Sequence, residues 1–323
     1  MATNTFWHRL RQRIGDALCR ILLWPAALVL RRCRTAQLHR LPGFRDVLLR
    51  VGVFPVANHY YEPRFDYTAD WATGPRQLPG IELDVRKQSD FLDKITCTDD
   101  LSWMRNDRRT PGEFHFGNSA FEPGDAEVWY HVIRHFKPSR IVEIGSGFST
   151  LVARRAIASN IASQSSYTCD HICIEPYEHG WLGKTGAVII RQRVETVGND
   201  VFSTLSENDI LFIDSSHIIR PGGDVLHEFL EILPRLKPGV IVHIHDIFTP
   251  NHYPDSWLKD RVLFWNEQYL VEAMLSGNHS WEILLALNFL RNQSFASLQR
   301  AAPHLEERHQ PASLYIRRTP IAP

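Results

Sequence analysis

The stretch Ile141-Val-Glu-Ile-Gly-Ser-Gly-Phe-Ser-Thr150 decides the fold of this chain. Its first residues are apolar and β-branched, as in a buried strand, and they run into two glycines that are one residue apart. A glycine-rich turn between a strand and a helix lets the backbone approach a ligand closely and points the first amides of the helix at it. The stretch therefore predicts a strand, a ligand-binding turn and a helix, with the acid Glu143 just before the turn.

Further apolar segments, spaced along the rest of the chain, also have the length and composition of strands. The predicted strands are residues 140–145, 171–176, 187–192, 209–214, 240–246, 281–287 and 313–318. Helical patterns separate the earlier strands, which is typical of a parallel sheet, whereas only the short segment 292–302 links the last two and predicts an antiparallel pair at the edge. We expect an α/β fold: a Rossmann-like, doubly wound, seven-stranded and mostly parallel sheet with helices on both faces, plus an N-terminal helical or irregular extension.

Composition limits the classes of protein that this chain can belong to. A chain of 323 residues that is 44% hydrophobic can bury a large core. It has 36 basic and 36 acidic residues, so no overall field attracts nucleic acid, and we predict no nucleic-acid partner. Five scattered cysteines do not form a disulfide framework and indicate reduced thiols in a cytoplasmic setting.

The N-terminal region departs from this neutrality. Residues 1–34 hold seven arginines against one acid, Asp16, around the apolar run 17–30. This run is shorter than the ~20 residues that span a bilayer, and the arginines that follow it argue against a cleaved secretory signal. Two interpretations stay open: peripheral contact of residues 9–34 with an anionic membrane, on its inner face, or a helix docked on its own domain.

The domain boundary is predicted where the strand and helix alternation begins. Residues 1–110 are expected to hold the basic segment and a cap, with an aromatic lid at 52–63, and residues 111–323 the ligand-binding domain. In an open α/β sheet the ligand lies beyond the carboxyl ends of the strands. Polar residues recur at these ends, namely Glu143, Glu175, Asp214, His245 and Asp246.

The glycine turn resembles the first motif of the class I S-adenosylmethionine-dependent methyltransferases, an acid followed by glycine, any residue and glycine. Glu143, Gly145, Ser146 and Gly147 match this motif, and Glu175 stands about 30 residues on, where the family places a carboxylate for the ribose hydroxyls. The turn 236–242 is also similar, and the resemblance covers residues 112–323. A nicotinamide dehydrogenase needs a third glycine where Thr150 stands. The resemblance implies that the turn holds the methionine part and ribose of S-adenosylmethionine.

A narrower resemblance concerns the ends of the fourth and fifth strands. In metal-dependent small-molecule O-methyltransferases these ends carry metal ligands, and Asp214, which would also border the cofactor, and the pair His245 and Asp246 match that arrangement. The implied ion is divalent Mg, Mn or Fe, although relatives typically carry a carboxylate at the position of His245. The catalytic candidates are His217, His245 and Asp246, with a histidine as general base if no metal binds.

Three segments resemble methyltransferases of bacterial biosynthetic and surface-polysaccharide settings: 118–127, 245–258 and 265–270. In the first, Asn118 and Ser119 are candidates to reach the methionine carboxylate, or they form a plain turn. In the second, a polar and aromatic loop either recognises substrate or packs on the body. In the third, Asn266, Glu267 and Tyr269 are expected to orient that loop.

These observations predict methyl transfer from S-adenosylmethionine to a hydroxyl of a small molecule or glycan, with or without a metal. Alternatives on the same scaffold are a metal-dependent oxidase or hydroxylase that does not methylate, and an inactive cofactor-binding partner. Neither the acceptor nor the oligomeric state can be read from the sequence.

Overall fold

The structure is a computed structural model that describes residues 2–36, 40–56, 63, 74–99, 101–105, 110–177, 179–261 and 263–320. The chain divides into two compact units, residues 1–70 and 71–323. Half of the predicted aromatic lid, residues 57–62, lies outside the described residues.

The first unit contains two helices, α1 (Ala2–Thr35) and α2 (Pro42–Val51). Helix α2 ends at Gly52, which has a φ of 76° and whose N–H donates to Leu48 O, so glycine suits this left-handed position. In the described part of the chain, no helix is both long and apolar enough to cross a membrane.

The second unit contains the seven-stranded sheet and eight helices among its described residues. The helices are α3 (Val85–Ile95), α4 (Asp125–Phe136), α5 (Phe148–Ser163), α6 (Asp200–Ser203), α7 (Asp224–His227), α8 (Glu267–Leu275), α9 (Leu287–Gln293) and α10 (Phe295–Ala301). The strands are β1 (Arg140–Ile144), β2 (Asp170–Ile174), β3 (Val188–Ile190), β4 (Ile210–Ile213), β5 (Ile241–Ile244), β6 (Trp281–Ala286) and β7 (Leu314–Arg318). Helix α7 continues as a π turn and a tighter turn up to Arg235, next to Pro234.

The sheet confirms the predicted fold class. Its strand order is β3-β2-β1-β4-β5-β7-β6, and the first five strands are parallel. Strand β7 is antiparallel to both β5 and β6, so the last two strands form the predicted antiparallel pair, with β6 at the edge. The order reverses between β1 and β4, which places the ligand-binding crevice at the glycine turn.

Alternate residues of the central strands pack into two cores, one on each face of the sheet. Ile141, Ile210 and Phe212 join the core under α4 and α5, whereas Val142 and Leu211 join the opposite core. Because these strands are buried on both faces, their sequences are continuous apolar runs.

Helix α3 lies within the second unit, although it precedes the predicted boundary at residue 110. It buries Leu92 and Ile95 in the same core as α4, and the Gln88 side chain accepts a hydrogen bond from Ala286 N of β6 at 2.8 Å. The contiguous unit therefore begins closer to residue 71. The helix contacts strand β6, which comes almost 200 residues later, and local patterns do not show which distant elements it packs against.

Candidate functional site

The glycine turn brings the ends of β1 and β4 into direct contact. Gly145 has a φ of 78°, and a Cβ at this position would lie 1.9 Å from Asp214 O. Asp214 N in turn donates to Ile144 O at 2.8 Å. Only glycine fits this close approach. Gly147 is extended instead, and a Cβ there would meet nothing nearer than His179 at 4.0 Å, so its side faces open space.

Glu143 supports the turn from beneath. Its side chain is fully buried, Thr150 Oγ1 donates to its Oε2, and Gly147 N donates to Thr150 Oγ1 at 3.2 Å. Thr150, at the place where a dehydrogenase has its third glycine, therefore ties the start of α5 to the end of β1. Glu143 lines neither of the cavities described below, and the structure assigns it to the foundation of the turn.

Beside Glu143 lie His171 and Cys173 of β2, buried with it. These three residues present potential ligand atoms within 4.8 Å of one another. Burial raises the pKa of the Cys173 thiol well above its ordinary value, with the charge of Glu143 adding to the effect, so the sulfur is a neutral thiol. Cys169 contacts Asp170 O instead and stands apart from the group. His171 and Cys173 are thus buried within the sheet.

Glu175, at the end of β2, is held by backbone amides on both sides. Its Oε2 accepts from Ser146 N at 3.1 Å and its Oε1 accepts from Tyr177 N at 2.7 Å. The carboxylate remains half-buried, and each oxygen keeps a free lone pair for a further donor. This position fits the predicted role toward two vicinal hydroxyls.

Two cavities, of about 260 and 270 Å³, meet beyond the carboxyl ends of the parallel strands. Both are lined by Gly145, Glu175, Asp214 and Ser215. The first extends over the ends of β2 and β3, where Ile174, Pro176 and Val194 give it apolar walls. The second extends over the glycine turn; further lining residues there are Ala120, Phe121, Ser146, Gly147, Phe148 and His179.

Asn118 and Ser119 stand near this second cavity but line neither of the two. The Asn118 side chain donates to His115 O and Phe121 O and accepts from Ala120 N and Phe121 N, so all its hydrogen-bonding capacity is used inside its own turn. Ser119 Oγ is exposed and donates to Asn118 O. The structure places Ala120 and Phe121, rather than these two residues, at the cavity wall.

A cluster of acids and histidines adjoins the cavities at Asp214. His217 Nε2 lies 3.2 Å from Asp214 Oδ1 and 3.7 Å from Asp246 Oδ2, and the three residues present ligand atoms within 4.8 Å of one another. Both His217 and Asp246 have a φ of 60°, which is rare for residues other than glycine and clusters at functional sites. The predicted convergence of Asp214 and Asp246 is present.

The histidine that completes this cluster is His217, whereas the sequence pattern favoured His245 as ligand. His245 Nδ1 approaches Asp214 at 3.6 Å and Asp246 at 3.5 Å, and its Nε2 lies 3.8 Å from Asp125 Oδ2, but its ring is buried between Phe121 and Phe212 and has no hydrogen-bond partner among the described residues. It faces the two carboxylates from the sheet, and His217 faces them from the loop after β4. Neighbouring His243 packs against Tyr315 in the core, and burial lowers its pKa well below the ordinary value.

Charges in the cluster are strongly coupled. Burial alone would lower the pKa of His217, but its contacts with Asp214 and Glu267 raise that pKa well above the ordinary histidine value. Burial likewise opposes ionisation of Asp214, yet the charge of His245 and the contact with His217 lower its pKa. Burial raises the pKa of Asp246 to about 6, with His245 and His217 acting against it. The cluster thus concentrates carboxylates that require compensating positive charge.

A second layer of carboxyl groups holds His217 from behind. Glu267 Oε2 lies 2.8 Å from His217 Nδ1, and the backbone amides of Asn266 and Glu267 donate to His217 O. Glu267 is fully buried. Glu228, also fully buried, accepts from Ser215 Oγ at 3.1 Å, and burial together with the charge of Glu267 raises its pKa well above the ordinary value. Nδ1 therefore carries the proton toward Glu267, and Nε2 faces Asp214 and Asp246.

The loop after β5 borders the site and also packs against its own domain. Tyr253 is buried against Phe248, its hydroxyl accepts from Gln268 N at 3.0 Å, and Trp257 stacks nearby. Arg76 donates to Pro250 O and pairs with Glu272 of α8, which fixes the loop. Half-buried Trp265 lies against His217, with ring centroids 4.2 Å apart. Most of this loop therefore takes the packing role, and Trp265 packs on the cluster through His217.

Several residues of the site were not singled out as candidates from the sequence. They are Glu228, Trp265, His179, Trp181 and the cavity-lining Arg193 and Tyr177. His179 and Trp181 follow β2 and stack with centroids 5.1 Å apart at the cavity rim, and the end of β2 was the available signal. Glu228 lies within an ordinary helical pattern, so its sequence context gives no signal.

Comparison with known proteins supports this description. Residues 142–247 match the family model described as "Methyltransferase domain". An uncharacterised protein of Archaeoglobus fulgidus is 36% identical over 147 residues, which are 42% of this chain and 62% of the relative. The chain thus spans less than two thirds of the length of that relative.

Solved structures with some similarity include two O-methyltransferases. TomG from Streptomyces achromogenes, described in a complex with S-adenosylmethionine and as involved in tomaymycin synthesis, is 14% identical, covers 74% of this chain and 92% of its own, and has a TM-score of 0.36. The Bacillus cereus enzyme, in a complex with S-adenosylhomocysteine, is 10% identical, covers 74% and 93%, and has a TM-score of 0.36. At these scores neither protein indicates a substrate for this chain.

The domain match includes the glycine turn, Glu175 and the ends of β4 and β5. Residues 142–247 therefore match a methyltransferase domain, as the glycine turn predicted. The resemblance predicted from Glu143, Gly145 and Gly147 is confirmed.

Proposed function

We propose that this chain, whose residues 142–247 match a methyltransferase domain, transfers the methyl group of S-adenosylmethionine to a hydroxyl of a small molecule or glycan. One observation carries the proposal: the two cavities at the glycine turn meet the cluster of Asp214, His217 and Asp246 at a shared wall, Asp214. A cofactor site and a site able to activate a hydroxyl thus lie side by side.

The cavities suit the parts of S-adenosylmethionine. The apolar cavity over β2 and β3 fits a purine, Glu175 between the two cavities fits the ribose hydroxyls, and the cavity over the glycine turn fits the methionine part. The open side of Gly147 leaves room for a ligand that any Cβ would crowd. When bound, the cofactor supplies an electrophilic methyl on a sulfonium, which the acceptor oxygen takes as its proton leaves.

His217 is placed to receive that proton once its ring is neutral, because the contacts with Asp214 and Glu267 raise its pKa and the ring must first lose a proton. Glu267 orients its ring through Nδ1, so Nε2 faces the acceptor side of the cluster, and Asp214 and Asp246 stabilise positive charge on the ring. His217 and Asp246 are largely buried, which strengthens these interactions. The chain's contribution is mainly positioning of the acceptor against the methyl group, with proton removal by a neighbouring base.

The same residues also fit a divalent cation. Atoms of Asp214, His217 and Asp246 lie at separations suitable for common coordination, and Glu267 behind His217 provides the carboxylate–histidine support typical of metal ligands. Two carboxylates and one imidazole suit Mn²⁺ or Fe²⁺ as well as Mg²⁺. A bound ion would lower the pKa of the acceptor hydroxyl and supply the positive charge that the carboxylates require.

Isothermal titration calorimetry tests both parts of the proposal. The protein is titrated with S-adenosylmethionine, S-adenosylhomocysteine and NAD, with and without Mn²⁺. We expect binding of both S-adenosyl ligands and none of NAD. Binding of NAD alone would overturn the cofactor assignment, and a protein that binds the metal but neither S-adenosyl ligand would fit the oxidase alternative.

A matched pair of variants tests which histidine is a metal ligand. His217→Ala should remove Mn²⁺ binding and leave the affinity for S-adenosylhomocysteine nearly unchanged, because His217 lines neither cofactor cavity. His245→Phe keeps a ring between Phe121 and Phe212 and should retain Mn²⁺ binding. The reverse outcome would make His245 the ligand.

A further inference from the structure

The N-terminal segment, residues 1–56, gathers the exposed apolar side chains of this protein. Among the described residues, eighteen large apolar side chains are exposed, and thirteen of them lie between Leu18 and Val56. Scattered single apolar residues are normal on a surface, but such a concentration marks an interaction site.

The same segment carries most of the chain's charge asymmetry. Ten of the 36 basic residues, all arginines, and two of the 36 acidic residues fall within residues 1–56, so that the segment has a formal charge of +8 and the remainder −8. One of the two acids, Asp16, pairs with Arg20 at 2.9 Å. A partner must therefore accept both apolar surface and positive charge.

The apolar part of α1 is exposed to water, which is unfavourable unless a partner covers it. Residues 21–30 contain no charged side chain, and Ile21, Leu22 and Trp24 are each more than 70% exposed. An α-helix that is apolar on all sides is normally buried. Arg20 precedes this stretch and Arg31, Arg32 and Arg34 follow it.

Helix α2 carries the same combination of exposed apolar residues and arginines. Val47, Leu49 and Val51 are exposed on or at the end of this helix, Val53 and Phe54 follow, and arginines stand at positions 40, 45 and 50. The combination of exposed apolar residues with arginine thus occurs twice within the segment. Long arginine side chains can lay their stems along apolar surface and keep the charge at a polar boundary.

We propose that the N-terminal segment binds the surface of an anionic lipid bilayer, with the apolar side chains of α1 and α2 at the boundary of the acyl chains and the arginines among the headgroups. The uncharged stretch of ten residues is about 15 Å long, roughly half the hydrocarbon thickness, so it embeds in one leaflet and does not cross. The charge of +8 selects anionic lipid. This surface does not depend on methyl transfer.

Vesicle flotation of the full chain tests this proposal. Vesicles of phosphatidylcholine alone are compared with vesicles of phosphatidylcholine and phosphatidylglycerol in roughly a 3:1 ratio, at low and high salt. We expect the protein to float with the anionic vesicles, to bind the neutral ones at least about tenfold more weakly, and to lose part of its binding in high salt. Equal binding to both, or none to either, overturns the proposal.

Variants connect the binding to the named residues. Leu22→Glu together with Trp24→Glu should reduce flotation about tenfold or more, because charged groups are costly at the acyl boundary. Leu230→Glu is the matched control, since Leu230 is 64% exposed in the second unit, and it should float like the wild type. An equal loss in the control, or no loss in the double variant, contradicts the assignment.

A second copy of the chain is the competing occupant. Light scattering in the absence of lipid would reveal it as an oligomer that the double variant dissociates, and that result would overturn lipid as the partner. Stabilisation by S-adenosylhomocysteine, measured on each variant, reports the cofactor site separately. Loss of vesicle binding with intact ligand stabilisation therefore distinguishes failure of this proposal from failure of the proposed function.

Discussion

At the scale of single residues, the two glycines of the turn have different roles. Gly145 allows β1 to pass within contact distance of Asp214 O in a left-handed conformation, whereas Gly147 has a φ of −177°, outside the left-handed region, and an open side. The first glycine serves the fold and the second serves the ligand. Sequence alone shows two equivalent glycines.

This difference predicts that substitution by alanine has different effects at the two positions. Gly145→Ala should destabilise the protein by about 2 kcal/mol or more, because a left-handed alanine is strained and its Cβ clashes with a backbone oxygen. Gly147→Ala should leave the melting temperature nearly unchanged and weaken binding of S-adenosylhomocysteine. Thermal unfolding and calorimetry on both variants check this, and equal loss of stability in the two would contradict it.

Glu267 is a positioning residue for His217. Replacing it with glutamine removes the charge that fixes the Nδ1 proton, and loss of such a supporting carboxylate typically costs 10–100-fold in metal affinity, so we expect about that decrease for Mn²⁺. The affinity for S-adenosylhomocysteine should not change. Glu231→Gln, an exposed charge removal on the helix that follows β4, is the control. If the wild type binds no Mn²⁺, the metal leaves the proposal and His217 remains as base.

At the scale of elements, Asp99 in the segment after α3 makes a partly buried polar contact with α4 that predicts a pH dependence. Asp99 Oδ2 accepts from Tyr130 OH and from Arg134 Nε, both at 2.7 Å. Burial opposes ionisation of Asp99, but these hydrogen bonds outweigh it and lower the pKa of Asp99. A carboxyl group whose pKa is lower in the folded state stabilises that state above its unfolded pKa, and the stabilisation is lost as the pH falls.

Asp99→Asn should therefore lower the melting temperature at pH 7. The difference from the wild type should stay constant down to about pH 4, near the ordinary pKa of aspartate, and shrink below it. Scans of thermal unfolding between pH 7 and pH 3 measure this difference. A gap that grows on acidification would show that the hydrogen bonds do not depend on the ionised form.

At the scale of the whole molecule, the cofactor site joins segments from four strands, and a ligand there should stabilise the second unit as a whole. We expect S-adenosylhomocysteine at about 100 times its dissociation constant to add about 2.7 kcal/mol to the free energy of unfolding, because it binds only the native state. Differential scanning fluorimetry with NAD as the comparison checks this. A shift with NAD and none with S-adenosylhomocysteine would contradict it.

The sequence by itself determined the sheet, its glycine turn and the family. Seven apolar segments with the correct spacing and helical patterns between the earlier ones leave few arrangements, because parallel strands require crossovers and right-handed connections. Glu175 and the pair Asp214 and Asp246 were found because functional residues in such a sheet follow strand ends, which are visible in a single sequence.

Tertiary structure decided how the two histidines face the carboxylates, what supports His217 and where the unit begins. His217 and His245 both follow strands, and only their packing separates a ring held by Glu267 from a ring buried between phenylalanines. Glu228 reaches the site through its hydrogen bond with Ser215. Helix α3 reaches the sheet through a contact with Ala286, which comes almost 200 residues later. A local sequence pattern shows which face of a segment is buried, but it does not show which residues cover that face. Partners that are distant in sequence are selected only when the core closes around them.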